Sequence, residues 1–515
     1  MIELKNINFA YGVAAEADIA RHVEDGESLR HDNEVRPNAK DEIHNPCAGR
    51  VVDINMHIKK GECVLLCGQS GCGKTTITRI LNGLCPSFYD GEMSGEYLID
   101  GEDTQEMSLN DIGLLTGNVF QDPRSQFFCS NTSDELVFAM ENRDYSIEKM
   151  QERLEELVDI FPILERLLDK KIFDLSSGEK QIIAIASVCA AKPKVLIMDE
   201  PTANLDTKTT VLLGDMLCAL KAEGTSIVIA EHRLHFAQGL FDRAILMEDG
   251  KITCEFTREE ALALSHEELE HYGLRLFETP KLPQSRSIDK KWEDYCGIDM
   301  VKVDMRYGDK YPLDSVNFHS PYGKVLAIVG NNGAGKSSLC RALTGVSRVE
   351  RGDIKYNGLK MLTKRSKLRR AFLVAQDADY QLHSHTVLDE FWAGKKRDYI
   401  SDKEIDIAKK AIESFGLKGF EERHPQSLSG GQKQRLLLAI ASISDRELIV
   451  FDEPTSGLDG FNMRRTAKRI RELSKKGKNV VLITHDIELI SRAADSVAFM
   501  IEGRVTGRLM LERGE

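Results

Sequence analysis

The stretch VLLCGQSGCGKTT, from Val64 to Thr76, decides the fold of this 515-residue chain because the chain contains it twice. It returns as LAIVGNNGAGKSS from Leu326 to Ser338, again after an apolar run and before a helix-like run. The pattern Gly-x-x-x-x-Gly-Lys-[Ser/Thr] between a predicted strand and a predicted helix indicates a loop whose backbone N–H groups bind phosphate. The sequence therefore predicts two nucleotide-binding loops.

Further motifs repeat in the same order and register. The motifs LSSGEKQ and LSGGQKQ each lie 24 residues before an acidic pair, and a histidine follows the aspartate of that pair by 33 residues. In chain order these positions are Leu175, Asp199, Glu200 and His232 in the first copy and Leu428, Asp452, Glu453 and His485 in the second. Such a register indicates two copies of one domain. We predict an α/β fold with a first domain at 1–256, a connector at 257–299 and a second domain at 300–515.

The two copies differ near their starts. Tyr11 precedes Gly68 by 57 positions, whereas Tyr307 precedes Gly330 by 23. The first copy therefore carries an insertion at about 13–46, which is rich in acids and contains three histidines. A metal-binding or regulatory role is one interpretation of this segment, and a solvated surface excursion is the simpler one.

Composition excludes several classes of protein. A chain of 515 residues is too long to fold around a single hydrophobic core, so at least two domains are expected. Its content of 42% hydrophobic and 29% charged residues is typical of folded, non-fibrous proteins. The net charge of −13 argues against a main role in binding nucleic acid. No run approaches the roughly 20 apolar residues that span a bilayer, and no signal peptide is visible. We expect a soluble chain that can dock to a membrane protein.

The eleven cysteines lie mostly within apolar runs, which indicates reduced thiols rather than a disulfide framework. Cys63, Cys67 and Cys72 flank the first loop, so metal ligation is an alternative to burial. Their spacing matches no zinc pattern, which favours small buried side chains.

The loop residues are the candidates for binding ATP. They are Gly68, Gln69, Ser70, Gly71, Cys72, Gly73, Lys74, Thr75 and Thr76 in the first copy, and Gly330, Asn331, Asn332, Gly333, Ala334, Gly335, Lys336, Ser337 and Ser338 in the second. The two lysines supply positive charge for the β- and γ-phosphates, and the hydroxyls of Thr75 and Ser337 are placed to bind Mg²⁺.

Each acidic pair follows a predicted buried strand. Asp199 and Asp452 end these strands, so their carboxylates are expected beside the magnesium ion. Glu200 and Glu453 come one position later and are candidates to orient the attacking water. A helix cap or solvated loop is the alternative for one such pair, but two pairs downstream of two phosphate loops favour the catalytic interpretation.

With these motifs in both halves, the chain resembles the ATP-binding cassette family. The resemblance implies that each copy has a RecA-like P-loop core, an antiparallel β subdomain and a helical signature subdomain. It also implies pairing within the chain, in which Ser429 and Gly431 complete the site of Lys74, and Ser176 and Gly178 complete the site of Lys336. One polypeptide then supplies both faces of each nucleotide site.

The resemblance also assigns the remaining positions. It implies aromatic residues that stack on adenine, glutamines that sense Mg²⁺ and water, aspartates after the acidic pairs, and histidines that contact the γ-phosphate. These are Tyr11, Gln121, Asp206 and His232 in the first copy and Tyr307, Gln376, Asp459 and His485 in the second.

The first signature departs from the second at three positions. Ser177, Glu179 and Ile182 stand where the second copy has Gly430, Gln432 and Arg435. Serine in place of glycine restricts the backbone, so the site that the first signature completes is expected to turn over differently. We predict two competent but unequal ATPase sites.

Three classes of function compete for such a protein. A transporter ATPase explains two complete cassettes without a membrane span. A cytoplasmic translation factor of the same family is expected to carry a long basic segment between its cassettes, and this connector lacks that charge. A ribosome-recycling or DNA-repair relative is expected to need clustered cysteines, which the sequence lacks.

The segment VFQDPRSQFF, from Val119 to Phe128, and its counterpart VAQDADYQLH favour the transporter. Both place a second glutamine five positions after the first, as in the ATPases of energy-coupling factor importers, which they resemble. Tandem sugar-importer ATPases are the alternative. Phe127, Phe128 and Leu382 are then candidates to meet a membrane partner, or else they pack inside the helical subdomain.

The resemblance implies a peripheral subunit on the cytoplasmic face of a bacterial membrane. Its partners are a transmembrane coupling protein and a substrate-binding membrane protein for a vitamin or a transition-metal ion. The sequence does not name the solute, because specificity resides in another chain.

Overall fold

The computed structural model describes most of the chain. The described residues are 1–12, 50–203, 205–287, 296–308, 310–361, 363–376, 378–393 and 399–512. The insertion predicted at 13–46 lies outside them. The chain divides into a first compact unit, Met1–Asn204 with Thr209–Glu278, and a second, Leu205–Lys208 with Thr279–Glu515.

The described residues form strands in both units. In the first half these are β1 Ile2–Tyr11, β2 Val51–Ile58, β3 Cys63–Gly68, β4 Gly91–Ile99, β5 Glu102–Asp103, β6 Thr116–Val119, β7 Val195–Asp199, β8 Ser226–Ala230, β9 Arg243–Glu248 and β10 Lys251–Thr257. In the second half they are β11 Ser285–Ser287, β12 Gly297–Tyr307, β13 Lys310–Pro321, β14 Val325–Val329, β15 Arg351–Tyr356, β16 Leu359–Lys360, β17 Ala371–Val374, β18 Leu448–Asp452, β19 Asn479–Ile483, β20 Ser496–Ile501 and β21 Arg504–Leu511.

Helices connect these strands. In the first half they are α1 Lys74–Leu81, α2 Leu84–Ser87, α3 Leu109–Leu115, α4 Thr132–Glu141, α5 Ile147–Ile160, α6 Ser177–Ala190, α7 Thr207–Ala222, α8 Arg258–Ala263 and α9 His266–His271. In the second half they are α10 Lys336–Thr344, α11 Lys364–Arg370, α12 Asp402–Ser414, α13 Gly430–Ile443, α14 Gly460–Lys475 and α15 Ile487–Ala493. Short 3₁₀ segments accompany them, including Pro123–Ser125 and Asp389–Trp392.

The first unit is built on a six-stranded sheet in the order β10-β9-β3-β8-β7-β6. Strands β3, β6, β7, β8 and β9 run parallel, and β10 adds an antiparallel edge. Every residue of β3 and β8 is buried, which explains why these strands read as continuous apolar runs rather than alternating ones.

A second, antiparallel sheet in the order β2-β1-β4-β5 packs against this core. From Ile54 to Ile58 in β2, apolar residues at alternating positions are buried and the intervening polar residues are exposed, as expected for a strand with one face exposed to solvent. The helices α4 to α6 form a separate helical group, in which α4 and α5 both contact the signature helix α6.

The second unit repeats this plan. Its seven-stranded sheet has the order β11-β21-β20-β14-β19-β18-β17, and its antiparallel sheet has the order β13-β12-β15-β16. The predicted α/β fold, with a parallel core, an antiparallel β subdomain and a helical subdomain in each copy, is confirmed. Among the described residues, no helix combines the length and apolar character that a bilayer crossing requires.

Candidate active sites

The first phosphate loop connects the carboxyl end of β3 to the amino end of α1. Gly73 has a φ of 104°, and a Cβ there would lie 2.8 Å from Val51 Cγ1, so this position requires glycine. The Lys74 side chain is buried, and its Nζ donates hydrogen bonds of 3.0 Å each to the carbonyl oxygens of Gly68 and Gln69. The loop therefore holds the ammonium group among its own backbone groups.

The second loop, between β14 and α10, has the same construction. Gly335 has a φ of 100°, and a Cβ there would lie 2.1 Å from the carbonyl oxygen of Pro312. Lys336 Nζ donates to the carbonyl oxygens of Gly330 at 2.6 Å and Asn331 at 3.0 Å. Burial lowers the pKa of Lys336, and nearby carboxylates oppose that effect.

A hydroxyl and a carboxylate meet beside each loop. Asp199 ends β7 and accepts a hydrogen bond from the hydroxyl of Thr75, and Asp452 ends β18 and accepts one from Ser337. Burial raises the pKa of both carboxyl groups, while these hydrogen bonds and the neighbouring lysines lower it. Oxygen ligands of this kind suit Mg²⁺, and a divalent cation offsets the cost of burying the carboxylate.

The structure brings the first candidate glutamate together with its predicted neighbours. Glu200 Oε2 accepts a 2.8 Å hydrogen bond from Gln121 Nε2, and Glu200 Oε1 lies 3.5 Å from His232 Nε2. Its φ of 45° is unusual for a residue with a side chain, and its N–H donates to the carbonyl oxygen of Ala230 at 2.8 Å. The end of β8 thus holds Glu200 in a strained backbone conformation.

His232 is a neutral imidazole in this environment. Burial lowers its pKa well below the ordinary value, and the positive charges of Lys74 and Arg275 lower it further. The contact with Glu200 is therefore not an ion pair between two charged groups. A neutral histidine offers one N–H donor and one acceptor, and its role toward phosphate depends on which nitrogen carries the proton.

The second candidate glutamate has the same backbone but a different donor. Glu453 has a φ of 48°, and its N–H donates to the carbonyl oxygen of Ile483 at 2.9 Å. Its Oε2 accepts hydrogen bonds from Thr484 Oγ1 at 3.0 Å and from His485 N at 3.4 Å. Its Oε1 lies 3.7 Å from His485 Nε2. Thr484 was not among the residues predicted from the sequence.

The signature serines cap the helices that they precede. Ser176 Oγ accepts from the N–H of Glu179 at 3.3 Å, and the Glu179 carboxylate accepts from Ser176 N at 3.0 Å and Ser176 Oγ at 2.9 Å. Ser429 and Gln432 form the equivalent box in the second copy, with Ser429 N donating to Gln432 Oε1 at 2.8 Å. Each pair is a capping box, which fixes the amino end of the signature helix.

The two signatures differ in charge at this box. Partial burial raises the pKa of Glu179, but the hydrogen bonds from Ser176 outweigh it and hold the pKa below its ordinary value. The first signature therefore carries a carboxylate at its helix amino end, where the second carries a neutral amide. This carboxylate lies at the amino end of the helix, which is the positive end of the helix dipole and attracts other anions as well.

The predicted adenine-stacking tyrosines lie in different surroundings. The hydroxyl of Tyr11 accepts a 3.1 Å hydrogen bond from Arg79 Nη1, and the guanidinium of Arg79 lies 4.1 Å from the centre of the Tyr89 ring. Tyr307 is 47% exposed, and its hydroxyl lies 3.0 Å from Ser347 Oγ. Their contact with adenine stays a prediction.

The aspartates after the acidic pairs are both buried near a helix start. Asp459 caps α14, with Oδ1 accepting from Asn462 N at 2.7 Å. Asp206 directly precedes α7.

The second glutamine of each QDxxxQ segment closes the loop that contains it. Gln126 Oε1 accepts from Phe120 N at 3.2 Å, and its Nε2 donates to the carbonyl oxygen of Ala184 in α6 at 3.4 Å. Gln381 Oε1 accepts from Ala375 N at 2.8 Å. These glutamines therefore have a structural role in both copies.

A buried glutamate completes this loop in each copy. Glu135 accepts from Phe128 N at 3.0 Å and Cys129 N at 2.8 Å, and Glu390 accepts from Ser384 N at 2.6 Å. Each glutamate follows the first glutamine of its segment by 14 residues. That equal spacing was a signal in the sequence that could have identified both residues.

Only one of the three apolar candidates for a partner surface is well exposed. Phe128 is 76% exposed and stacks on Phe138, with ring centroids 4.9 Å apart. Phe127 is half-buried. Leu382 is buried in the core of the second unit, which agrees with the packing alternative for this residue, while Tyr380 is 78% exposed nearby.

The cysteines beside the first loop are core residues. Cys63, Cys67 and Cys72 are buried, and burial raises the pKa of the Cys67 thiol to about 12. Across the described parts of the chain, no group of three or more histidine, cysteine or acidic side chains is placed to hold a metal ion.

Comparisons with known proteins identify the family of both copies. The family model described as ABC transporter matches residues 51–203 and 313–456, once in each copy. A Treponema denticola protein named "Putative ABC transporter ATP-binding protein" is 37% identical over 90% of this chain and 94% of its own length. A Methanosarcina mazei protein of the same name is 33% identical over 88% of this chain and 85% of its own length.

Solved structures share the tandem fold. The archaeal ribosome recycling factor aABCE1, solved with the ribosomal stalk protein aP1, has a TM-score of 0.60 at 20% identity. The match covers 90% of this chain and 88% of that chain. At this identity the likeness concerns the fold alone. The chain belongs to the ATP-binding cassette family, as an ATPase with two cassettes in one polypeptide that binds ATP with Mg²⁺.

Proposed function

We propose that this chain is the ATP-hydrolysing subunit of a membrane importer of the energy-coupling factor type. In this proposal it drives uptake of a vitamin or a metal-ion micronutrient through separate membrane subunits. One of these is a transmembrane coupling protein, and the other is a substrate-binding membrane protein. The cassette chain then works as a peripheral subunit on the cytoplasmic face of the membrane.

The observation that carries the proposal is the stacked aromatic pair Phe128 and Phe138, in which Phe128 is exposed and Phe138 is half-buried. A stacked pair with one ring 76% exposed is apolar surface that a partner protein can cover. Phe128 lies seven residues after Gln121 in the chain, and Gln121 donates a hydrogen bond to the candidate catalytic glutamate. A partner protein bound to Phe128 would therefore contact the chain segment that begins at Gln121 in the candidate hydrolysis site.

The loop that presents Phe128 is well fixed. Glu135 accepts hydrogen bonds from the N–H groups of Phe128 and Cys129, and Gln126 joins the start of the loop to the signature helix α6. A surface held in this way needs little ordering when a partner binds, which favours affinity. The names of the relatives from Treponema and Methanosarcina also support a transporter.

Within each cassette we assign the roles that the resemblance implies. Lys74 and Lys336 stabilise the charge on the β- and γ-phosphates, and Glu200 and Glu453 orient the attacking water. Mg²⁺ neutralises phosphate charge when it is bound, and Thr75 with Asp199 and Ser337 with Asp452 would hold it, together with Gln121 and Gln376. The same proposal includes completion of each nucleotide site by the signature of the opposite cassette.

The test is retention of the chain by its membrane partner. A tagged chain with Phe128→Ser should co-purify with at most about a tenth of the wild-type amount of membrane protein from detergent-solubilised membranes, because truncating an anchor residue costs about 2 kcal/mol or more. Its ATPase rate without membranes should equal that of the wild type. Loss of folding in this variant, seen as a lower melting temperature, would contradict a surface role.

Phe88→Ser is the matched control. Phe88 is 64% exposed in the same unit but lies on the segment before β4. We expect this variant to retain the membrane partner. Co-sedimentation of the wild-type chain with ribosomes, without any membrane protein in the purified complex, would instead favour the cytoplasmic translation-factor branch of the family.

A further inference from the structure

A buried acid immediately precedes the candidate histidine of the first cassette. Glu231 is 2% exposed and accepts four hydrogen bonds. Two come from Thr202, through N at 3.2 Å and Oγ1 at 2.8 Å, and two come from the backbone N–H groups of His232 at 2.8 Å and Arg233 at 2.9 Å. One carboxylate thus joins the turn after the acidic pair to the segment that carries His232.

The second cassette makes this connection with a different residue. Asp486 Oδ2 accepts from Thr455 Oγ1 at 2.7 Å, and its Oδ1 accepts from Leu489 N at 3.1 Å. The N–H of Asp486 donates to Thr484 Oγ1 at 3.0 Å. The turn after the acidic pair is again tied to the histidine segment by a carboxylate.

The two threonines are equivalent in the repeat, and the two acids are not. Thr202 and Thr455 each follow the aspartate of their acidic pair by three positions, and both are fully buried. Glu231 lies one position before its histidine, whereas Asp486 lies one position after its own.

We propose that Glu231 and Asp486 are equivalent positioning residues that occupy exchanged sequence positions on either side of the histidine. This proposal rests on the assigned roles of His232 and His485 toward the γ-phosphate. Each carboxylate fixes the histidine segment against the turn that follows the catalytic glutamate. Neither acid touches the reacting atoms in this assignment, so both act through the histidine.

The exchange has a consequence for the second site. With the acid at position 486, position 484 is a threonine, and its hydroxyl donates to Glu453 Oε2. In the first cassette the corresponding position is Glu231, whose two oxygens are taken by Thr202 and by the histidine segment. Glu200 is instead met by the amide of Gln121.

The experiment moves the acid within the first cassette. Glu231→Thr removes the carboxylate, and Glu231→Thr with Arg233→Asp rebuilds the arrangement of the second cassette. Both are made in the full-length chain and compared with His232→Ala and the wild type. Steady-state ATPase rates are measured against ATP concentration without membranes, so the importer proposal does not affect the readout.

We expect Glu231→Thr to lower kcat by the same factor as His232→Ala, within about twofold, with KM for ATP changed less than about twofold. The relocated variant should recover kcat to within about threefold of the wild type. Glu231→Gln keeps the shape of the side chain and should give an intermediate rate. This variant keeps the test valid if Glu231→Thr melts at a much lower temperature.

Three results would overturn the proposal. Wild-type kcat in both Glu231→Thr and Glu231→Gln, together with a slow His232→Ala, would show that the acid does not position the histidine. A relocated variant as slow as Glu231→Thr would show that the two acids are not equivalent. Wild-type kcat in His232→Ala would overturn the role assigned to the histidine itself.

Discussion

Glu200 and Glu453 have the same backbone and different hydrogen-bond donors. Both are in the left-handed region, and both donate their N–H to the end of a neighbouring strand. The side chain of Glu200 is met by Gln121, and that of Glu453 by Thr484. The backbone of the two glutamates is therefore the same in both copies, whereas the Thr484 hydroxyl on Glu453 comes from a position that is Glu231 in the first copy. Two sites built in this way are expected to respond differently to equivalent mutations.

The largest effect is expected from the glutamates themselves. Glu200→Gln and Glu453→Gln should each lower turnover at their own site by about 100-fold or more, because the amide no longer orients water as a carboxylate does. The residual ATPase rate of the whole chain should differ between the two variants. Steady-state phosphate release measures this rate. Identical residual turnover would contradict unequal sites.

The next largest effect is on stability. Glu135→Ala leaves two partly buried backbone N–H groups without their acceptor, which costs about 2 kcal/mol. The melting temperature of the first unit should fall by about 4 °C in scanning calorimetry. Glu390→Ala is the matched change in the second unit, where one such donor is seen, so a smaller shift is expected there. Equal shifts would remove this difference between the units.

A smaller effect is expected from Thr484→Val. It keeps the shape of the side chain but removes the hydroxyl that donates to Glu453 and accepts from Asp486 N. We expect kcat to fall about fivefold, which corresponds to about 1 kcal/mol. Thr484→Ser should restore most of the rate, because serine returns the hydroxyl. An unchanged rate in the valine variant would show that the hydroxyl does not orient Glu453.

The smallest effect is expected at the first signature. Glu179→Gln replaces the carboxylate at the helix amino end with the amide that the second signature carries. We expect the apparent affinity for ATP to rise about twofold, since a negative charge near the helix amino end repels an approaching phosphate. Nucleotide titration followed by fluorescence measures this change. Weaker ATP binding in Glu179→Gln would show that the carboxylate assists the site instead.

Much of the fold and site could be predicted because their chemistry uses contiguous motifs. A loop that cradles phosphate must place its glycines and lysine at fixed spacing, so Lys74 and Lys336 identified both cassettes and their parallel cores. Equal offsets then located Asp199 and Asp452. Equal spacing in the two copies locates these residues because each motif lies at the end of a strand or the start of a helix that occupies the same place in both domains.

The contacts of side chains across the fold could not be predicted in this way. Alignment of the two copies pairs Glu231 with Thr484, so the sequence gives no sign that Glu231 has an equivalent acid in the second copy. In the structure, Asp486 accepts a hydrogen bond from Thr455, as Glu231 does from Thr202. The sequence left two roles open for Leu382, a partner surface or internal packing, for a related reason. It follows Gln381, whose Oε1 accepts a hydrogen bond from Ala375 N, and this contact, like the burial of Leu382, is visible only in the folded structure.

The left-handed backbone at Glu200 also ties the acid to the strand that leads to the histidine. The N–H of Glu200 is tethered to the carbonyl oxygen of Ala230, and His232 lies two residues further along that same strand end. A displacement of the strand end therefore carries the acid and the imidazole together, with their spacing preserved. The acid and the imidazole are therefore anchored to one strand end, and both depend on the placement of Ala230.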